Sequence, residues 1–200
     1  DPFHEGHRAL VTQAVKALID QGVRVDGLII LPVFRHHNLQ DDVKQFLPLS
    51  YEDRFAICQL AAKAIARDLE PLAVPVSVSR LEQHLALQTN KANFTAETMQ
   101  ALRQQLPPET ALAFLLGIDP FTGQDPSFGH WHKMDELLAS TILVVSPRKG
   151  YEPNKAFLKA LIDRGGQFVF LKQLEIPEIS SSRIRERIEK REDPFTLAAE

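Results

Sequence analysis

Short, unbroken apolar runs recur along this chain, each separated from the next by longer stretches with helical periodicity. Gly27-Leu28-Ile29-Ile30-Leu31-Pro32-Val33 is one such run, Ala111–Leu116 a second, Thr141–Val145 a third and Phe168–Leu171 a fourth. Runs this short and this apolar suit strands buried on both faces, as in a parallel sheet. Between them lie helical stretches at about 6–21, 50–68, 95–105, 133–139 and 153–164, and a final helix follows Ser180-Ser181-Ser182. Ser50 with Asp53 forms a capping box of the acidic kind ahead of the second helix. Leu72–Val78 reads as one more strand, with Pro75 marking an edge or bulge. Strand and helix in alternation predict an α/β fold built on a parallel sheet. Ligands of such sheets sit beyond the C-terminal ends of the strands. The segments 32–45, 79–94, 117–131 and 146–151 are therefore expected to share one rim.

Composition narrows the function. The 200 residues suffice for one domain with a substantial core. A net charge of -3 argues against a general nucleic-acid or membrane-surface binder. Cys58 is the sole cysteine, which leaves no intrachain disulfide or cysteine metal cluster and fits a reducing cytoplasm. Its neighbours at helical spacing, Phe55, Ala62 and Ile65, make it a core residue. No apolar run approaches membrane-spanning length.

Two motifs suit anions. His4-Glu5-Gly6-His7 sets two imidazoles three residues apart at a helix start, on one face, with glycine permitting close approach. A helix N-terminus favours phosphate. The plainer reading is a helix start that contains histidines. Ile179-Ser180-Ser181-Ser182-Arg183-Ile184-Arg185 places hydroxyls, amides and guanidinium groups at another helix start. Capping alone accounts for one serine, and Arg187 reads as part of a solvated face. His130-x-His132 invites a metal, yet no further ligands stand at recognisable spacing. Solvated loop histidines are the better reading for His130 and His132.

Together, His4-x-Gly6-His7 and Ile179-Ser180-Ser181-Ser182-x-Ile184-Arg185 resemble the signature pair of the HxGH nucleotidyltransferase superfamily. The middle of the chain is similar in order to the nicotinate-nucleotide adenylyltransferases of bacteria: Glu82, Phe94-Thr95-x-x-Thr98, Gly117-Ile118-Asp119, and Trp131 before Asp135-Glu136-Leu137-Leu138. Arg54 and Arg148 also fall where that family carries arginines.

The resemblance implies a Rossmann-like parallel sheet with helices on both faces. It implies a single nucleotidyltransferase domain over 1–200, with 179–200 a C-terminal helical segment and the family's first strand and glycine turn missing ahead of Asp1. It implies transfer of AMP from ATP to nicotinate mononucleotide, giving deamido-NAD and pyrophosphate in NAD biosynthesis. His4, His7 and Arg185 would be catalytic. Gly6, Gly117, Asp119, Ile179, Ser180, Ser181 and Ser182 would bind ATP, with Asp119 meeting the ribose. Glu82, Thr95, Trp131 and Arg148 would bind the mononucleotide, Trp131 by stacking on the cationic pyridine ring. Trp131 as a loop anchor and Thr95 as a plain N-cap are the competing readings. Mg²⁺ would arrive with the ATP, and no protein metal site is implied. The partners are then ATP and a pyridine mononucleotide, with neither nucleic acid nor membrane, and a homo-oligomer stays open.

Two departures bear on specificity. Arg35-His36-His37-Asn38 stands where the family has a Pro-rich loop carrying His-Lys, and the loop from Asp119 to Trp131 is longer than the family norm. Alternatives are another member of the superfamily, acting on phosphopantetheine or making CDP-alcohols, and a non-catalytic nucleotide-binding module.

Overall fold

The structure, a computed structural model, describes residues 2–35, 49–172 and 181–190. The chain forms two compact units, Asp1–Ala92 with Glu175–Glu200, and Asn93–Leu174.

In the first unit, α1 (Glu5–Asp20) buries Ala14, Val15 and Leu18 at helical spacing. The helix α2 (Tyr51–Asp68) starts where the capping box predicts. Ser50 is its N-cap, and its Oγ accepts the Asp53 N–H at 3.1 Å. Arg8 grips Asp68 with two parallel bonds of 2.8 and 2.9 Å, joining the first turn of α1 to the last residue of α2. The strands β1 (Leu28–Ile30) and β2 (Val76–Val78) pair in parallel, with Leu28 opposite Val76. Val15, Ile30, Cys58, Ala62, Ile65, Leu69 and Val74 form the core beneath them, as expected of Cys58.

Both strands are shorter than the sequence suggests. Among the described residues β1 pairs only with β2, and of its three residues only Ile30 is fully buried. One neighbour gives it one ladder, which ends when β2 ends. The expected strand over Leu72–Val78 keeps only its last three residues, because Pro71 sets a 3-10 turn at Glu70–Leu72 and Ala73 is left-handed at φ 53°. Pro75 has no N–H, but its carbonyl accepts the Leu28 N–H at 2.9 Å and starts the ladder. The segment 79–94, expected as a rim loop, holds a helix, α3 (Leu81–Thr89). It is held by burial of Leu81 and Ala86 rather than by a strong amphipathic pattern. Of the rim segment 32–45, residues 36–45 lie outside the described residues.

In the second unit, α4 (Thr95–Gln104) is followed by β3 (Ala113–Gly117), α5 (Met134–Ser140), β4 (Ile142–Ser146), α6 (Lys155–Asp163) and β5 (Gln167–Phe170). The strands run parallel in the order β3-β4-β5. Leu143, Val144 and Val145 are almost wholly buried because β4 lies between two neighbours. The run Ala111–Leu116, expected to be buried, is so only at Leu112 and Leu116; β3 pairs with β4 alone among the described residues. Among the described residues every strand pairing is parallel, so the α/β reading holds. The last helix among the described residues, α7 (Ser181–Glu189), belongs to the first unit and opens inside the serine run. No helix among the described residues is long and apolar enough to cross a membrane.

Candidate functional site

In the first unit, His4 is the N-cap of α1 and His7 is its third residue. The two rings meet in a tilted contact with centroids 3.9 Å apart at 31°, and Phe3 lies 5.2 Å from His7 on centroids. The i, i+3 spacing therefore does bring the imidazoles together. The His4 backbone N–H donates to His7 Nδ1 at 3.3 Å. That bond assigns the neutral His7 proton to Nε2, leaving an N–H donor there. His4 Nδ1 is buried and has no hydrogen-bond partner. Burial holds His4 down to about 4 and His7 to about 3, the latter also by proximity to His4. Both are neutral at pH 7. Gly6 is buried between them. Glu5 and Gly6 sit in the turn whose amides have no intrahelical acceptor. The Glu5 carboxylate is drawn to Arg8 at 3.2 Å.

Ser181 and Ser182 lie in the first turn of α7, while Ile179 and Ser180 fall outside the described residues. Arg185 is half-buried two residues beyond Arg183. Arg187, expected on a solvated face, is half-buried too, and Arg183 is the exposed one. Arg187 follows Ile184 by three residues, and both are half-buried.

Glu82 and Arg54 also belong to the first unit, and both are buried. Glu82 lies in the first turn of α3. Arg54 donates to the Val33 carbonyl at 2.6 Å, which ties the chain leaving β1 to α2. Arg80 was not singled out by the sequence. It binds Glu52 through two bonds of 2.7 Å and lies over the Phe55 ring at 3.9 Å.

In the second unit, Gly117 ends β3 and Asp119 begins a 3-10 turn. A Cβ on Gly117 would stand 2.8 Å from Asp119 Oδ2, so only glycine lets that carboxylate fold back. Asp119 Oδ1 accepts from Arg148 at 2.7 Å, and Arg148 lies over the Tyr151 ring at 4.8 Å. Both residues follow the C-terminal ends of adjacent parallel strands, as the rim argument requires. Trp131 is half-buried against Phe128 and Phe114, at centroid distances of 5.0 and 6.5 Å. Thr95 is the first residue of α4, not its N-cap. That position is Phe94, whose N–H donates to Glu97 at 3.1 Å.

His132 is not a bare loop histidine. It stacks on Phe94 at 4.2 Å and approaches Glu97 at 3.6 Å. His130 pairs with Asp125 at 2.8 Å. Among the described residues no three His, Cys, Asp or Glu side chains gather as a metal site.

A parallel α/β chain with polar side chains gathered past its strand ends is of the Rossmann-like, nucleotide-binding kind. Within that class the chain belongs to the cytidylyltransferase-like family, whose model matches residues 1–187. It is 30% identical over 153 residues to a probable nicotinate-nucleotide adenylyltransferase of Cellvibrio japonicus, covering 76% of this chain and 60% of the relative. It is 32% identical over 129 residues to the nicotinate-nucleotide adenylyltransferase of Salmonella typhimurium, covering 57% of this chain and 58% of the relative. The chain thus spans about 60% of the length of the curated relatives it matches. In fold it is similar to a Plasmodium falciparum nicotinic acid mononucleotide adenylyltransferase complexed with APC, at TM-score 0.63 and 12% identity over 96% of this chain and 81% of that one. The resemblance drawn from the motifs is borne out.

Proposed function

We propose that this protein transfers AMP from ATP to nicotinate mononucleotide in the cytoplasm, releasing pyrophosphate. The observation that carries this reading is the His4–His7 pair, its rings in contact at the N-terminus of α1 and its His7 donor proton assigned to Nε2. Imidazole N–H donors beside the free amides of a positive helix end offer a triphosphate a set of hydrogen bonds.

The acceptor phosphate is already an anion at neutral pH, so the reaction needs no general base. One of its oxygens bonds to the α-phosphorus as the bond to the bridging α–β oxygen breaks, and pyrophosphate leaves with that electron pair. The work of the protein is positioning and stabilisation of the charge that develops on the phosphoryl oxygens. His7 donates to the α-phosphate, with His4 beside it. Ser181, Ser182 and Arg185, with Ile179 and Ser180 ahead of them, hold the leaving pyrophosphate. Mg²⁺ enters as the ATP complex. Asp119 accepts from ribose hydroxyls next to Gly117. Trp131 stacks on the pyridine ring, and Thr95, Glu82 and Arg148 serve the acceptor.

The test is pyrophosphate release on mixing the protein with ATP and nicotinate mononucleotide, with nicotinamide mononucleotide and CTP as substitutes. Release that depends on both ATP and nicotinate mononucleotide supports the reading. ATP binding without release for any acceptor would leave a non-catalytic nucleotide module, and a preference for CTP would make it a cytidylyltransferase.

A further inference from the structure

The segment from Asp119 to Trp131 has the composition of a mobile loop, yet it is packed like a core. Phe121 and Phe128 are both fully buried, with ring centroids 4.8 Å apart, and Phe121 meets Phe168 of β5 edge-on. Phe128 in turn supports Trp131.

The N-terminal turn of α6 fastens this loop at both ends. Asn154 is the N-cap of α6, its Oδ1 accepting the Phe157 N–H at 3.0 Å. Its Nδ2 donates to the Gly123 carbonyl at 3.0 Å, and its backbone N–H donates to the Phe121 carbonyl at 2.8 Å. Thr122 and Pro153 add an antiparallel bridge. At the other end, a Cβ on Gly129 would lie 3.3 Å from the Phe157 ring, so loop and ring are in close contact two residues before Trp131. One side chain therefore caps a helix with its oxygen and anchors a loop with its nitrogen. Only one orientation of the amide satisfies both bonds.

We propose that Asn154 is a positioning residue for the acceptor side of the site: its Nδ2 bond to Gly123 sets the Phe121–Phe128 platform on which Trp131 presents its face. The functional half of this inference rests on the acceptor role given to Trp131 above.

The two bonds separate by substitution. Asn154→Asp keeps the capping oxygen and sets an acceptor against the Gly123 carbonyl; Asn154→Ala loses both. Trp131 is the only tryptophan, so intrinsic fluorescence reports its surroundings directly. In the full chain, Asn154→Asp is expected to show red-shifted emission and stronger acrylamide quenching with Tm close to wild type. The KM for nicotinate mononucleotide is expected to rise about tenfold, as for one lost hydrogen bond, with the KM for ATP and kcat little changed. Asn154→Ala should add a fall in Tm. Unchanged emission and quenching in Asn154→Asp would overturn the positioning role. Altered emission with an unchanged mononucleotide KM, or an equal rise in both KM values, would overturn its link to the acceptor. A wild-type chain that releases no pyrophosphate would fail the transfer reading alone, because the Trp131 spectrum decides the positioning role without turnover.

Discussion

Arg148 donates to Asp119 at 2.7 Å across a sequence separation of 29 residues, tying the loop after β3 to the loop after β4. The other Asp119 oxygen folds back over Gly117. A side chain there would push the carboxylate off its partner. Gly117→Ala is expected to raise the KM for ATP at least severalfold with little loss of stability, because the clash falls on the end of a half-exposed side chain that can turn away. Steady-state kinetics with a urea melt checks both, and wild-type ATP affinity would remove Asp119 from the ribose.

His7→Ala removes the proposed donor to the α-phosphate, together with the acceptor for the His4 N–H and the ring contacts to His4 and Phe3. Because the bond to the α-phosphate is made mainly in the transition state, kcat is expected to fall roughly 10²–10³-fold, with a smaller change in substrate KM. Circular dichroism should show an intact fold. Turnover equal to wild type would refute the role.

Depressed histidines leave a mark on stability. His4 and His7 bind protons more weakly when folded, about 4 and about 3 against the ordinary 6.5, so between those limits the unfolded chain holds more protons. Their contribution is complete above pH 6.5 and is lost as pH falls through the folded values. Tm of the wild type should drop more steeply below pH 6.5 than Tm of a His4→Gln, His7→Gln double variant. Parallel profiles would show that the pair is not held neutral by burial.

Trp131→Ala is expected to raise the KM for nicotinate mononucleotide at least tenfold, in line with a lost ring contact of about 1.5 kcal/mol, while the KM for ATP changes less. An equal effect on both substrates would make Trp131 a loop anchor only.

Ser50→Ala provides a stability reference away from the proposed chemistry. Loss of the cap on α2 should cost about 1 kcal/mol in a denaturant melt and leave kcat as it was. A loss of turnover at wild-type stability would place Ser50 in the site instead.

Several parts of the candidate site could be read before any coordinates. The His4–His7 pairing follows from a three-residue spacing on a helix, and the rim argument puts the segments of Asp119 and Arg148 on one side; their bond is known only from the structure. Others could not. Phe94 looked like a flank of Thr95, yet it holds the cap position and stacks on His132. Asn154 carries no mark in the sequence, yet it caps α6 and its second bond runs to a glycine 31 residues away. Arg54 and Glu82 were legible as charged residues of interest, but not as buried ones.

What the sequence by itself determined was local: the starts of α1 and α2, the alternation of strand with helix, and the spacing of the histidines and serines. Caps and periodicity act within a turn or two of chain, so neighbouring residues suffice to encode them. Tertiary structure alone decided where β1 and β2 stop, that Leu81–Thr89 coils, and that the long loop before Trp131 is packed rather than loose. Those outcomes depend on which distant surface a residue meets, Phe121 on Phe168 or Gly129 on Phe157, and burial against a remote partner outweighs local propensity.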